Sequence, residues 1–446
     1  MINVGDILEL TIENSGMNGE GVARHDGQVV FIPLTLKGEI VKAQVTKVDK
    51  KYVSAKVIKI ITPSPKRVTP ACPIFFKCGG CDMQHIVYSE QLSIKRASVQ
   101  SCLDKARINA IAAPTVPSPK IYAYRNKAQV PIARKDGCTR AGYYRTGTHD
   151  LVPFPANGCA LHDDTTNSII SALTDEFNNC NLPPYDESNG KGIIRHIVVR
   201  RADNCYAVTI VVNSDTLPHA DKIKDRLLKI GVPISLTVNV NKANTNVIFG
   251  KKTACLYGDM DIECNICGVR ARISPQSFMQ INDDICSAIY RHVAQFVSAC
   301  APRTVIDAYG GIGVISNLVA PYCDSVKCIE IVPSAIADGR RMAQDNGNSD
   351  IIDNVLGDCA KVIAQTDIDQ DTLVILDPPR KGCDKAVLDA LNSSECRHIV
   401  YISCNPATLA RDLALLSNNY EVMSVTPYDM FPMTKHVETL VCLKRK

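Results

Sequence analysis

The 446-residue chain is predicted to be a multidomain α/β protein, with a doubly wound parallel-sheet domain behind a small β-barrel and a central α+β segment. Three observations predict it. From about residue 275 onward, strand-like and helix-like stretches alternate, the pattern of a parallel sheet covered on both faces. Before residue 62, short alternating strands follow one another with no helix between them. Between these regions strand pairs dominate, headed by a compact cysteine motif. Apolar residues make up 46% of the chain, enough for several cores. No run approaches the roughly 18 apolar residues of a membrane span, and the opening MINVGDILEL lacks signal-peptide architecture. The 20 cysteines are scattered along the chain, which suits a reducing interior better than a disulfide framework. The expectation is a cytoplasmic monomer with no membrane partner.

Residues 1–62 contain DILELTIEN, GQVVFIP, EIVKAQVTKV and YVSAKVIKI, punctuated by Gly16, Gly19, Gly21 and Gly27. Several short strands without a helix predict an OB-like barrel. The proline-rich TPSPKRVTP that follows is a linker.

A central domain over residues 70–270 opens with ACPIFFKCGGCDMQH, in which Cys72, Cys78 and Cys81 have the spacing C-x5-C-x2-C. Three thiolates need a fourth ligand, and Cys159 in FPANGCALHD is the best-placed candidate. Four thiolates suit either structural zinc or an iron–sulfur cluster, and the three-plus-one distribution leans toward [4Fe–4S]. A second C-x2-C, Cys264 and Cys267, lies in an alternating strand pattern and is expected to be core. HIVVRR and CYAVTIVVN read as a hairpin.

Charge is unevenly placed. Nine Lys/Arg between Lys37 and Arg67 face two acids, Glu39 and Asp49; seven between Lys120 and Asp150 face Asp136 and Asp150. The second block interleaves tyrosines in YAYRNKAQVPIARKDGCTRAGYYR, and cations with stacking rings suit looped or single-stranded RNA.

Residues 275–446 run TVIDA, ISNLVA, VKCIEIV, SAIADGRRMAQDN, NVLGD, TLVILDPP, KAVLDAL, HIVYISC, PATLARDLALL, EVMSVTPYDMFP and HVETLVCLKR. Ligands of doubly wound sheets sit at the carboxyl ends of the strands. DAYGGIG is a glycine-rich turn at the first such end, though it is not the dinucleotide fingerprint G-x-G-x-x-G. Glu330, Asp358 and Asp377 stand at the next ends, and Cys404 at the fifth. Any one acid could instead cap the following helix. Polar residues at successive ends fit a site for S-adenosylmethionine (SAM), which has a ribose and an amino acid to hold but no pyrophosphate.

SPQSFMQIN, DAYGGIG, CIEIVPSAI, LDPPRKG, YISCNPATLARD and HVETLVCL, in this order, resemble the RNA 5-methyluridine methyltransferases, most closely the iron–sulfur branch that modifies 23S ribosomal RNA. The resemblance implies a Rossmann-like SAM methyltransferase domain, a TRAM barrel and an RNA substrate. It places SAM contacts on Gln280, Tyr309, Glu330 and Asp377, with Asp358 near the adenine. It makes Cys404 the nucleophile and Glu438 the base, and the cluster ligands Cys72, Cys78, Cys81 and Cys159. Gly310 departs from the D-x-[YF]-C-G turn of many relatives. Uracil C5 is too weak a nucleophile to take a methyl group unless a thiolate first adds to C6, which explains a cysteine at a ligand-facing strand end. A helix starting near Pro406 is expected to favour that thiolate. Three other readings compete. One is methylation of transfer RNA uridine. Another is an amino-group methyltransferase, suggested by LDPPRKG, and the third an RNA-binding iron–sulfur protein without catalysis.

Overall fold

The computed structural model describes residues 2–16, 19–203 and 205–446. At the N-terminus, strands Ile7–Thr11, Gly21–His25, Gln28–Ile32, Ile40–Val48 and Tyr52–Thr62, with the short Asn14–Ser15, form one barrel-like sheet. Leu10, Ile12, Val30, Ile32, Val41, Val45 and Val53 fill it, because alternate residues of each strand point inward.

The central sheet has seven strands, Lys127–Lys135, Cys138–Tyr144, Leu151–Pro153, Ile194–Ala202, Cys205–Val212, Ile234–Val240 and Lys252–Tyr257. Ile194–Ala202 and Cys205–Val212 pair antiparallel, as the hairpin reading expected. Helices Asp164–Asn179 and Ala220–Leu228 bury Ile169, Leu173, Phe177, Ile223 and Leu227 in the core of this sheet. The ribbon Ile262–Ile266 with Val269–Ile273 carries Cys264 inward, and Cys267 directs its thiol to the Ser287 carbonyl.

The third sheet runs, edge to edge, Ile352–Leu356, Ser325–Glu330, Thr304–Ala308, Thr372–Leu376, His398–Ser403, Glu438–Arg445 and Tyr420–Tyr428. The first five are parallel; Glu438–Arg445 inserts antiparallel to both of its neighbours. Thr372–Leu376 is buried throughout, as a central strand covered on both faces must be. The order of the parallel strands reverses between Thr304–Ala308 and Thr372–Leu376, so the crevice for a ligand opens at the ends of those two strands.

Packing cuts across the boundary drawn from sequence. Helix Tyr88–Lys105 lies in the central segment of the chain, yet Val99 and Leu103 join the core of the third sheet. Residues Ala112 and Val116 bridge to Val425 and Tyr428 at its edge. Among the described residues, no helix is long and apolar enough to cross a membrane.

Candidate active site

Cys404 follows the last residue of strand His398–Ser403, and Glu438 is the first residue of its antiparallel neighbour. The register pairs Ser403 with Thr439. Cys404 and Glu438 are the next residues on at that end of the ladder, and the thiol of Cys404 feels the Glu438 carboxyl. An antiparallel strand brings its amino end to the carboxyl ends of parallel strands, which is why a residue so late in the chain reaches this site.

Glu438 is only 3% exposed, and burial, reinforced by the nearby Asp377 carboxyl, raises its pKa well above the usual carboxylate value. Burial pushes the Cys404 thiol up to about 11, with Glu438 and Asp377 adding to the shift and the Arg380 guanidinium opposing it. In the free protein the thiol form is therefore the favoured one, against the expectation of a thiolate supported by the helix. The Ala407 amide at the start of Pro406–Leu416 is taken by Asn405 Oδ1 at 3.1 Å, and burial of the thiol is the largest cause of its raised value. Asn405 Nδ2 also donates to the Arg380 carbonyl at 3.0 Å, and Thr408 Oγ1 at 3.3 Å, tying the LDPPRKG loop to the cysteine loop. In sequence Arg380 is only the odd residue of that motif; in the fold its charge is felt at Cys404, Glu438 and His436.

Next to this pair, Asp307, Tyr309, Gly310, Gly311 and Asp377 line a cleft with Phe278, Met279 and Tyr290. Burial raises Asp377 to about 7, with Asp307 contributing, and raises Asp307 to about 6 against the opposing bond from Ser316. Ser316 Oγ donates to Asp307 Oδ2 at 2.6 Å, whereas Asp307 Oδ1 and the Tyr309 hydroxyl are buried without a hydrogen-bond partner among the described residues. Tyr309 holds a left-handed backbone (φ 64°), which turns the chain sharply off the strand end. Glu330 accepts from the Gly311 amide at 3.1 Å through one oxygen, and from the Ile331 and Val332 amides at 2.8 Å through the other. Its carboxylate is therefore held against the glycine turn.

The remaining sequence candidates divide. Asp358 does cap its helix, accepting from the Ala360 and Lys361 amides at 3.0 and 3.3 Å. Gln280 lies beside Phe278 and Met279, its carbonyl held by Asn126 Nδ2 at 2.8 Å, but it does not line the cleft itself. Asp307 carries no role in the sequence reading, although an acid on an otherwise apolar strand is a signal for one.

Cys72, Cys78, Cys81 and Cys159 all line one small pocket, walled by Phe75, Tyr143, Phe154 and Leu161. Gly80 donates its amide to Cys78 Sγ at 3.4 Å and Gln84 Nε2 donates to Cys81 Sγ at 3.2 Å. Burial raises Cys81 to about 12 and Cys159 to about 11. The thiols share a pocket without forming a ready-made metal site: among the described residues, no three His, Cys, Asp or Glu side chains are grouped to hold a metal ion. Arg125 lies nearby, its Nε buried without a hydrogen-bond partner and its charge felt at Cys159.

The basic blocks also separate. In the barrel, Lys42, Lys50, Lys51, Lys56, Lys59 and Lys66 are exposed, and Lys42 pairs across the strands with Lys59. In the second block Lys127 is partly buried, and desolvation with Arg200 lowers it to about 8; Asp150 engages both Lys135 and Arg145. Tyr124 is 2% exposed and Tyr143 bonds His162 at 2.9 Å, so these rings serve the interior around the cysteines and not a stacking surface.

The tRNA (Uracil-5-)-methyltransferase family model matches residues 219–446, and the TRAM domain model residues 3–58. An uncharacterized RNA methyltransferase of Halalkalibacterium halodurans is 38% identical, with 100% of this chain and 98% of the relative covered. Another, of Clostridium acetobutylicum, is 36% identical with 98% and 96% covered. The crystal structure of Pyrococcus abyssi tRNA (uracil-54, C5)-methyltransferase in complex with S-adenosyl-L-homocysteine matches with a TM-score of 0.79 at 26% identity, over 98% of this chain and 99% of that one.

Proposed function

The chain belongs to the tRNA (uracil-5-)-methyltransferase family and carries a TRAM domain, and from that premise we propose that it methylates C5 of a uridine in RNA through a covalent Cys404 adduct. The observation that carries the reading is the meeting of Cys404 and Glu438 at the same end of two adjacent strands, with the Glu438 carboxyl felt at the Cys404 thiol.

SAM supplies an electrophilic methyl group on a positively charged sulfur. The cleft suits such a cation: buried acids with raised proton affinity, an orphaned Asp307 oxygen and an unpartnered Tyr309 hydroxyl are all relieved by a positive, hydrogen-bonding ligand. Tyr309, Glu330 and Asp377 would hold it, with Gln280 at the rim and Asp358 near the adenine. The Cys404 thiol gives up its proton to solvent as its sulfur bonds to C6. The electron pair displaced from C5=C6 makes C5 the nucleophile, and the methyl–sulfur bond breaks with its electron pair left on the sulfur as the methyl group bonds to C5. Glu438, as carboxylate, then removes the C5 proton; the C–H pair re-forms C5=C6 and expels the thiolate. Arg380 is the cation that favours both anionic side chains. The target base has to leave its stack to reach Cys404.

Four thiols in one pocket, with N–H donors on two sulfurs and the Arg125 charge felt at Cys159, support a [4Fe–4S] cluster on Cys72, Cys78, Cys81 and Cys159. It would staple the central segment and takes no part in methyl transfer. The RNA we assign is 23S ribosomal RNA, on the resemblance to the four-cysteine branch. Transfer RNA is the competing substrate, and mapping 5-methyluridine in both RNAs from a strain lacking the gene separates them.

The mechanism is tested with two variants. Cys404→Ala should form no adduct and transfer no methyl group. Glu438→Gln should attack and methylate, then stall, leaving an RNA–protein band on a denaturing gel that carries the SAM methyl label. Normal turnover by Glu438→Gln with no trapped species overturns the base assignment.

A further inference from the structure

Glu438 emerges from the segment Asp429–Val437, and that segment is held from outside the methyltransferase sheet. The amides of Asp82 and Met83 both donate to the Met433 carbonyl at 3.0 Å, and the Lys435 amide donates to Asp82 Oδ2 at 3.3 Å. Gln91 is fully buried; its Oε1 accepts from the Met433 amide at 3.1 Å, while its Nε2 donates to the Met83 and Ile86 carbonyls at 3.1 and 2.9 Å. Tyr124 donates to the Pro432 carbonyl at 3.1 Å, and buried Lys95 binds Asp429 and the Phe431 carbonyl. Met433 itself has a left-handed backbone (φ 66°), which a non-glycine residue keeps only where its surroundings impose it. Its side chain packs with Tyr124 and Leu161 against Cys81 and Cys159.

Apart from Tyr124, these contacts reach the segment through residues adjoining the cysteine motif, Asp82 and Met83, or on the helix that follows it, Gln91 and Lys95. We propose that Gln91 and Asp82 are positioning residues for the base: by clasping Met433 and Lys435 they set where the Glu438 carboxylate stands, so the cysteine-bearing segment governs release of the RNA and not methyl transfer. The inference rests on Glu438 as the base. Cys404 and the SAM cleft belong to other strand ends and are not held by this clasp.

The test separates two chemical steps in the intact protein. With SAM labelled in its methyl group and substrate RNA tritiated at uridine C5, single turnovers report methyl transfer and proton loss independently. Gln91→Leu and Asp82→Ala should transfer methyl at the normal rate and lose tritium on the order of tenfold to a hundredfold more slowly, the scale of an ångström-level displacement of a catalytic group. A labelled adduct should accumulate, and Asp82→Asn, which keeps an acceptor oxygen, should restore release. SAM affinity and iron content serve as controls for folding, and if Gln91→Leu fails to fold, Asp82→Ala carries the test. Equal loss of both steps, or no change in either, overturns the proposal. Glu438→Gln run beside them keeps the two readings distinct. A trapped adduct there with none in the clasp variants refutes the clasp alone, whereas no adduct in Glu438→Gln refutes the base.

Discussion

The Cys328 thiol occupies the space that a side chain at residue 310 would need: a Cβ built on Gly310 stands 2.5 Å from Cys328 Sγ. Cys328 is wholly buried in the strand beside the glycine turn, so it has nowhere to retreat. The glycine at 310, where the resembled D-x-[YF]-C-G turn has cysteine, is thus matched by a neighbour that fills the same volume. Gly310→Cys should destabilise the protein by about 1–3 kcal/mol through overpacking, and Cys328→Ala should recover most of the loss. Urea unfolding of the single and double variants measures the coupling.

The buried acids make the free protein's stability depend on pH. Asp377 at about 7 and Asp307 at about 6 hold their protons more tightly folded than unfolded, both raised chiefly by burial. Their contribution is complete below about pH 4, the unfolded carboxylate range, and is lost as pH rises through the folded values. The melting temperature without SAM should therefore fall between pH 5 and 8, and Asp377→Asn should flatten that slope. Identical slopes in the two proteins would remove Asp377 from the account.

Protein purified without oxygen should be brown and contain iron and acid-labile sulfide. Substituting Ser for Cys81 or Cys159 should bleach it and leave SAM affinity unchanged, because the cysteine pocket and the cleft lie in different parts of the fold. Colourless, zinc-loaded protein with full activity would contradict the cluster.

Lys42 and Lys59, paired across barrel strands, place like charges side by side, a costly arrangement unless an anion lies over them. Replacing both with Gln should weaken RNA binding and reduce the slope of log affinity against log salt by about 0.7–0.9 for each phosphate no longer neutralised. Lys127→Met, which removes a partly buried cation that burial and Arg200 disfavour, should instead raise stability and leave the salt slope unchanged. Fluorescence titrations across a salt series read both effects.

The alternation of strands and helices after residue 275 was legible because β-branched runs there end at single polar residues. Glu330, Asp377 and Cys404 all stand at the strand ends where that pattern put them. The lateral strand order was not legible: no local feature says that Glu438–Arg445 inserts antiparallel between two earlier strands. Helices Asp164–Asn179 and Tyr88–Lys105 are masked in sequence by the stronger strand and cysteine signals beside them. Within the tyrosine-rich basic block the rings of Tyr124 and Tyr143 turn inward while Arg134, Arg140 and Arg145 stay exposed, a division the sequence does not show because ring and cation chemistry look alike whether they face solvent or line an internal pocket. Arg380 reads as an irregularity in a motif; only the folding of its loop against Asn405 reveals its neighbours.

The hydrogen-bonded register between His398–Ser403 and Glu438–Arg445 makes chain length itself a determinant of how Cys404 and Glu438 stand to one another. Side chains alternate faces along a strand, so a single inserted or deleted residue in either one would turn Cys404 or Glu438 to the opposite side of the sheet. A substitution can remove one chemical group and leave the other in place; a one-residue slip separates them without changing either. Surface connections around residues 393–397 or 417–419 can therefore lengthen without moving the site, but the spans that carry Cys404 and Glu438 must keep their residue count.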